Sequence, residues 1–158
     1  MKKLGDRVLY HDTDSIVFID RPGCYKPSLG KYLGDFTDEI NPKDGNHIIE
    51  FVSAGPKNNG YVLDTGKTTL HVKGFSMSYS AGLAVNFETM KEMVTTDRTR
   101  KTKVDQIVFT RDKNACVRTH KVEKLYGFTY TKRKLQEDLT TLPFGYKKAE
   151  IFNYFLFN

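Results

Sequence analysis

Val8-Leu9-Tyr10-His11-Asp12-Thr13-Asp14-Ser15-Ile16-Val17-Phe18-Ile19 sets two β-rich runs around a short polar centre. Such runs flanking a small insert predict an antiparallel hairpin between Arg7 and Asp20. The turn is acidic, as ordinary hairpin turns can be. On an extended or tightly turned backbone, residues two apart point roughly the same way. Asp12 and Asp14 would then stand side by side. Carboxylates so placed repel, and their pKa values separate unless a cation lies between or beside them. A hard divalent cation such as Mg²⁺ meets that need through carboxylate oxygens. Two such ions can stabilise the attacking and leaving oxygens of a phosphoryl transfer. An isolated Asp-x-Asp is common and carries no such conclusion.

Outward from the hairpin, Pro22-Gly23 and Pro27-Ser28 mark a loop. A short helix is expected from about Lys31 to Glu39, stopped by Pro42. Asp35, Asp38 and Glu39 read as the solvated face and cap of that helix rather than as a second metal cluster. Three strands are expected next, over Ile48 to Ser53, Gly60 to Asp64 and Thr68 to Val72. Ala54-Gly55-Pro56 and Thr65-Gly66-Lys67 would turn between them. The period then changes: Phe87, Met90, Met93 and Val94 recur at helical spacing, and Asn86 is a natural N-cap. Leu83 would extend the same face back through a preceding short helix. Thr95 to Lys103 reads as a surface loop. Gln106 to Thr110 and Val117 to Tyr130 read as a basic β-ribbon, and Thr131 to Asp138 as a short helical piece. There is no internal repeat.

The 158 residues suffice for one ordinary domain or two very small ones. With 39% hydrophobic and 13% aromatic residues, the chain can build a core. Its net charge is +6, but between Lys91 and Lys134 thirteen Lys or Arg face five Asp or Glu, a local excess of +8. Such segregation suits either a segment laid along a phosphate backbone or a solvated lysine-rich surface. Cys24 and Cys116 lie far apart in no metal-binding pattern, which fits a reduced, intracellular setting. No apolar run is long enough to cross a membrane, and no signal-peptide pattern opens the chain. The aromatic end, Ile151 to Asn158, reads as a core element or as an extension needing a partner. His11, His47, His71 and His120 are isolated and read as structural or surface residues. No glycine-rich phosphate loop or Ser-His-Asp order is present.

Tyr10-His11-Asp12-Thr13-Asp14-Ser15 matches, at every defined place, the Tyr-x-Asp-Thr-Asp-Ser motif C of family B DNA polymerases. The resemblance implies a palm hairpin whose aspartates, with a third from an earlier motif, hold two Mg²⁺ ions, Mn²⁺ being a substitute. Asp14 would be the principal ligand and Asp12 its partner, with Tyr10, Thr13 and Ser15 supporting the turn. Phe51 to Tyr61 resembles a stretch of the protein-primed branch, which includes phage enzymes and Polinton or Maverick mobile elements. That branch places a primer-contacting Lys-x-Tyr here. Lys57 takes the lysine place, the tyrosine place holds Asn59, and Tyr61 follows two residues on. Lys57 also reads simply as a solvated residue of a turn. Val72-Lys73-Gly74-Phe75 resembles the Lys-Gly element that follows the palm strand, so Lys73 would contact the primer. Tyr32 to Glu39 and Pro143 to Tyr146 resemble mobile-element members more thinly.

The expected fold is therefore α+β. Residues 1–77 would form a partial palm, an antiparallel sheet with the motif C hairpin. Residues 78–158 would form a thumb-like helix and β-ribbon with a carboxy-terminal region. The implied activity is DNA-directed DNA polymerisation, transferring nucleotides from deoxynucleoside triphosphates (dNTPs) to a DNA 3′ end. The implied partners are a DNA primer-template, dNTPs and a terminal protein primer, with no membrane. Arg98, Arg100, Lys101 and Lys103 would meet duplex phosphates. The implied place is the nucleus or a viral replication site in a eukaryotic setting, and the cytoplasm otherwise. Asp-x-x-Ser-Leu-Tyr-Pro, Lys-x-x-x-Asn-Ser-x-Tyr-Gly and the exonuclease motifs are absent. The chain is thus expected to be a carboxy-terminal fragment lacking the amino-terminal polymerase portion and inactive alone. A free-standing, catalytically dead nucleic-acid-binding remnant of a mobile element is the alternative.

Overall fold

The computed structural model describes residues 2–131, 133–138 and 140–145. It is mixed α+β, built mostly of small antiparallel sheets. After one 3₁₀ turn, Gly5–Arg7, come β1 (Val8–Asp12) and β2 (Ser15–Phe18), the expected hairpin. Arg7 anchors its base. The side chain is buried, and its guanidinium donates to the carbonyls of Tyr25 at 2.7 Å and Ile19 at 3.4 Å. A buried arginine needs such partners, and nothing in the sequence marks this one.

The meander follows as β3 (Ile48–Ser53), β4 (Asn58–Leu63) and β5 (Thr68–Val72), in that spatial order. The hairpin is not part of this sheet. Among the described residues, β1 and β2 pair only with each other, which corrects the expectation of one sheet containing both. Two helices come next, α1 (Tyr79–Ala84) and α2 (Phe87–Thr95). Asn86 caps α2 as expected, in a full capping box. Its Oδ1 accepts from the Thr89 N–H at 3.0 Å, and Thr89 Oγ1 accepts from the Asn86 N–H at 2.8 Å. That extended cap breaks the helical phase, so Leu83 is exposed. Ala81 and Val85 are buried in its place.

The ribbon is longer than its sequence suggests. Strands β6 (Lys101–Arg111) and β7 (Val117–Gly127) pair without interruption from Lys101↔Gly127 to Arg111↔Val117. Lys101 to Lys103 therefore lie in a strand, not in the expected loop. A last hairpin joins β8 (Arg133–Leu135) and β9 (Thr141–Pro143), where a helical piece was expected. Asp138 explains the difference. Its carboxylate accepts from the N–H and hydroxyl of Thr140, a local bond that favours turns over helix. The expected helix at 31–39 is likewise an irregular loop, with Leu29 bridged to Phe36. Gly34 sits at φ 98°, outside helical space, and Asp35 takes the Tyr32 N–H. Residues 146–158, including the aromatic end, lie outside the described residues.

One hydrophobic cluster holds the meander, helices and ribbon together. Val52 and Ala54 pack with Ala81, Val85, Phe87, Met90, Met93, Val94, Val104 and Tyr126. It draws on residues from both sides of position 77. Gly55 marks a close crossing, since a Cβ there would run into the Thr129 carbonyl oxygen. The Thr129 N–H donates to Ala54 O at 3.2 Å, which ties the end of the ribbon to the β3–β4 turn.

Candidate functional site

The hairpin turn has two residues, Thr13 and Asp14, between the paired Asp12 and Ser15. Thr13 takes φ 46°, the positive sign that tight hairpins favour. A β-branched residue is strained there. The turn is braced locally. Ser15 Oγ donates to the Asp12 carbonyl at 3.2 Å, and Thr13 Oγ1 donates to Asp12 Oδ1 at 3.3 Å. Asp12 is half-buried and Asp14 is exposed.

The turn between β3 and β4 docks on this hairpin through Lys57. Its ammonium lies 2.8 Å from Asp12 Oδ2, and its backbone N–H donates to the Tyr10 hydroxyl at 3.0 Å. The Tyr10 ring packs against Phe51, with centroids 6.0 Å apart. Lys57 itself has φ 56°, an uncommon conformation for a residue with a side chain. Both contacts were unreadable from sequence, because nothing in the local pattern pairs residues of separate turns.

The electrostatics follow that contact. The Asp12 carboxyl is held below its ordinary pKa, first by the hydrogen bond from Lys57. The Lys57 ammonium is raised above its ordinary value, first by Asp12, with Asp14 adding a smaller attraction. A cation does stand beside the acidic turn, and it is a lysine side chain.

The donor set suits a hard cation in kind, since both candidates are carboxylates on a braced turn. It is short in number. Among the described residues, no group of three or more His, Cys, Asp or Glu side chains is placed to hold a metal ion. Two carboxylates leave the rest of an octahedral shell to water or substrate oxygens, as Mg²⁺ commonly does.

The other expected residues divide. Tyr61 lies opposite Phe51 in the register, beside the ring that Tyr10 packs on. Lys73 is exposed just after β5, where Lys73 and Gly74 line a cleft of about 290 Å³ with Pro56, Asn58, Phe75 and Tyr126. Lys57 and Lys73 thus border the same turn. The basic stretch is partly neutralised from within. Arg100 pairs with Glu92 at 2.7 Å and Lys103 with Glu123 at 3.0 Å. Arg98 donates to the Val94 carbonyl at 3.1 Å and lies over the Phe128 ring. Lys101 makes none of the ion pairs among the described residues. Comparison with protein families, curated proteins and solved structures finds no match to this chain.

Proposed function

We propose that these residues are the motif C palm hairpin and thumb-like region of a protein-primed family B DNA polymerase, a nucleotidyltransferase that extends a DNA 3′ end from dNTPs. The observation that carries this reading is the complete Tyr-x-Asp-Thr-Asp-Ser hexapeptide on an antiparallel hairpin with both aspartates at its turn. Asp12 and Asp14, together with a third aspartate that these residues do not include, would hold two Mg²⁺ ions, which when bound supply charge stabilisation at the attacking and leaving oxygens. Lys57 and Lys73, which border the β3–β4 turn, would meet primer phosphates, and Lys101 would do so from the ribbon. Such contacts position DNA without reading its sequence. The reading implies a DNA primer-template, dNTPs and a terminal protein as partners, at an intracellular replication site.

The test is primer-terminus binding by the full chain, with and without Mn²⁺. Tightening by Mn²⁺ that is lost in Asp14→Ala supports the reading. Primer extension by the chain alone is expected to be undetectable, because its residues include neither the third carboxylate motif nor the nucleotide-binding motif.

The Lys57–Asp12 contact favours a second reading. With Asp12 already neutralised, the acidic turn can persist as structure in a nucleic-acid-binding remnant without catalytic activity. Salt-dependent DNA binding that is indifferent to Mn²⁺ and to Asp14→Ala would select it.

A further inference from the structure

Lys57 makes two separate contacts with the hairpin. Its backbone N–H is fixed on the Tyr10 hydroxyl, and its ammonium reaches Asp12 Oδ2. The turn it belongs to is closed independently, by the Asn58 N–H on the Gly55 carbonyl at 3.1 Å. The lysine side chain can therefore leave Asp12 while its backbone stays docked. That side chain is 63% exposed, so departure leads directly into solvent.

An ammonium held on Oδ2 and an inner-sphere divalent cation on the same carboxylate repel each other, so each weakens the binding of the other. A Mg²⁺ ion binds carboxylate oxygen at roughly 2.0–2.1 Å. The ammonium already occupies that oxygen at 2.8 Å, and the two cations repel. Among the described residues the other oxygen, Oδ1, accepts only the long Thr13 hydroxyl contact, and a metal there would still stand close to the ammonium.

We propose that Lys57 is a built-in counter-ion of Asp12, exchanged for an oxygen-seeking divalent cation when the Asp12–Asp14 turn is loaded. The inference rests on the metal-binding reading of that turn. Lys57 is here a positioning residue that sets how readily the turn accepts a cation. Loading the turn also frees an ammonium next to it. The expected size is modest, because an exposed ion pair changes an equilibrium by about two- to fivefold.

The experiment is Mn²⁺ binding to the full chain, followed by the electron paramagnetic resonance signal of free Mn²⁺. Lys57→Met should tighten binding about two- to fivefold. Lys57→Arg should stay near wild type, and Asp14→Asn should weaken binding. A second measurement needs no variant. Reductive methylation of the Lys57 amine, read by peptide mass spectrometry, should accelerate at saturating Mn²⁺. Lys67, paired with Asp44 at 2.7 Å away from the hairpin turn, should not change. Unchanged or weaker Mn²⁺ binding in a folded Lys57→Met protein overturns the exchange alone. So does a Lys57 methylation rate indifferent to bound Mn²⁺, which decides the matter if Lys57→Met fails to fold. Absence of Mn²⁺ binding in both wild type and Lys57→Met overturns the metal-binding reading, and the exchange with it.

Discussion

The Tyr126 hydroxyl donates to Oδ1 of Asn58 at 3.2 Å, a buried bond between the penultimate residue of β7 and the first residue of β4. Burial pushes the Tyr126 phenol up to about 12, so it remains a proton donor through the neutral range. Asn58 also donates from Nδ2 to the Ala54 carbonyl at 3.3 Å. Removing the hydroxyl leaves a buried acceptor without its partner. Tyr126→Phe should therefore cost about 1–3 kcal/mol in urea unfolding. Adding Asn58→Ala should cost less than the sum of the two single changes, because they share the bond.

The contact between Asp12 and Lys57 has a pH dependence of defined sign. The folded Asp12 carboxyl titrates below its ordinary 3.8. Its contribution to stability is thus fully present above that value and is lost as pH falls through the lower, folded pKa. In a carbon-detected NMR titration the Asp12 midpoint should lie below 3.8, and in Lys57→Met it should move upward. A midpoint unmoved by that substitution would show that the ammonium is not the cause.

The capping box at Asn86 gives a cleaner stability test, remote from the acidic turn. Asn86→Ala should lose about 0.5–2 kcal/mol, with Asn86→Ser or Asn86→Asp recovering most of it. Thermal melts of the three variants suffice, and equal melts for Asn86→Ala and wild type would refute the assignment.

For nucleic acid, internal pairing ranks the basic residues. Lys73→Ala and Lys101→Ala should weaken DNA binding similarly on all sequences, each reducing the salt slope by about 1. Arg100→Ala and Lys103→Ala should change it less, since Glu92 and Glu123 already offset those charges. Fluorescence anisotropy over a salt series reads the slope directly. A larger loss from Arg100→Ala than from Lys101→Ala would mean that the ion pairs open on DNA.

What sequence revealed, and what it did not, follows from the range of the forces involved. The hairpin, the three-stranded meander and the Asn86 cap rest on neighbours in the chain: alternating apolar runs, turn glycines and a capping side chain. Each was legible. The phase of α1 was not, because Asn86 resets it, and Leu83 faces solvent as a result. The segments around Gly34 and Asp138 have helix-like composition, but one positive φ and one local carboxylate bond decide against helix. At the candidate site, the aspartates could be nominated from their motif and Lys57 from resemblance. Their mutual contact could not, since it depends on how two separate turns dock. The strain at Thr13 and Lys57 was equally hidden, because both are ordinary residues whose backbones the surrounding contacts hold in place.

The hydrophobic cluster shared by Val52, Met90, Val104 and Tyr126 also bears on how the chain can be divided. A cut after residue 77 would part Val52 and Ala54 from the helix and ribbon residues they pack against, exposing apolar surface on both pieces. The pieces 1–77 and 78–158 should then behave as an obligate pair, as the halves of a split reporter do. Each would be insoluble or unstructured apart, and together they would regain the Tyr126–Asn58 bond. Co-expression of the two halves would turn this packing into a selectable signal, in which interior substitutions are scored by whether the halves still find each other.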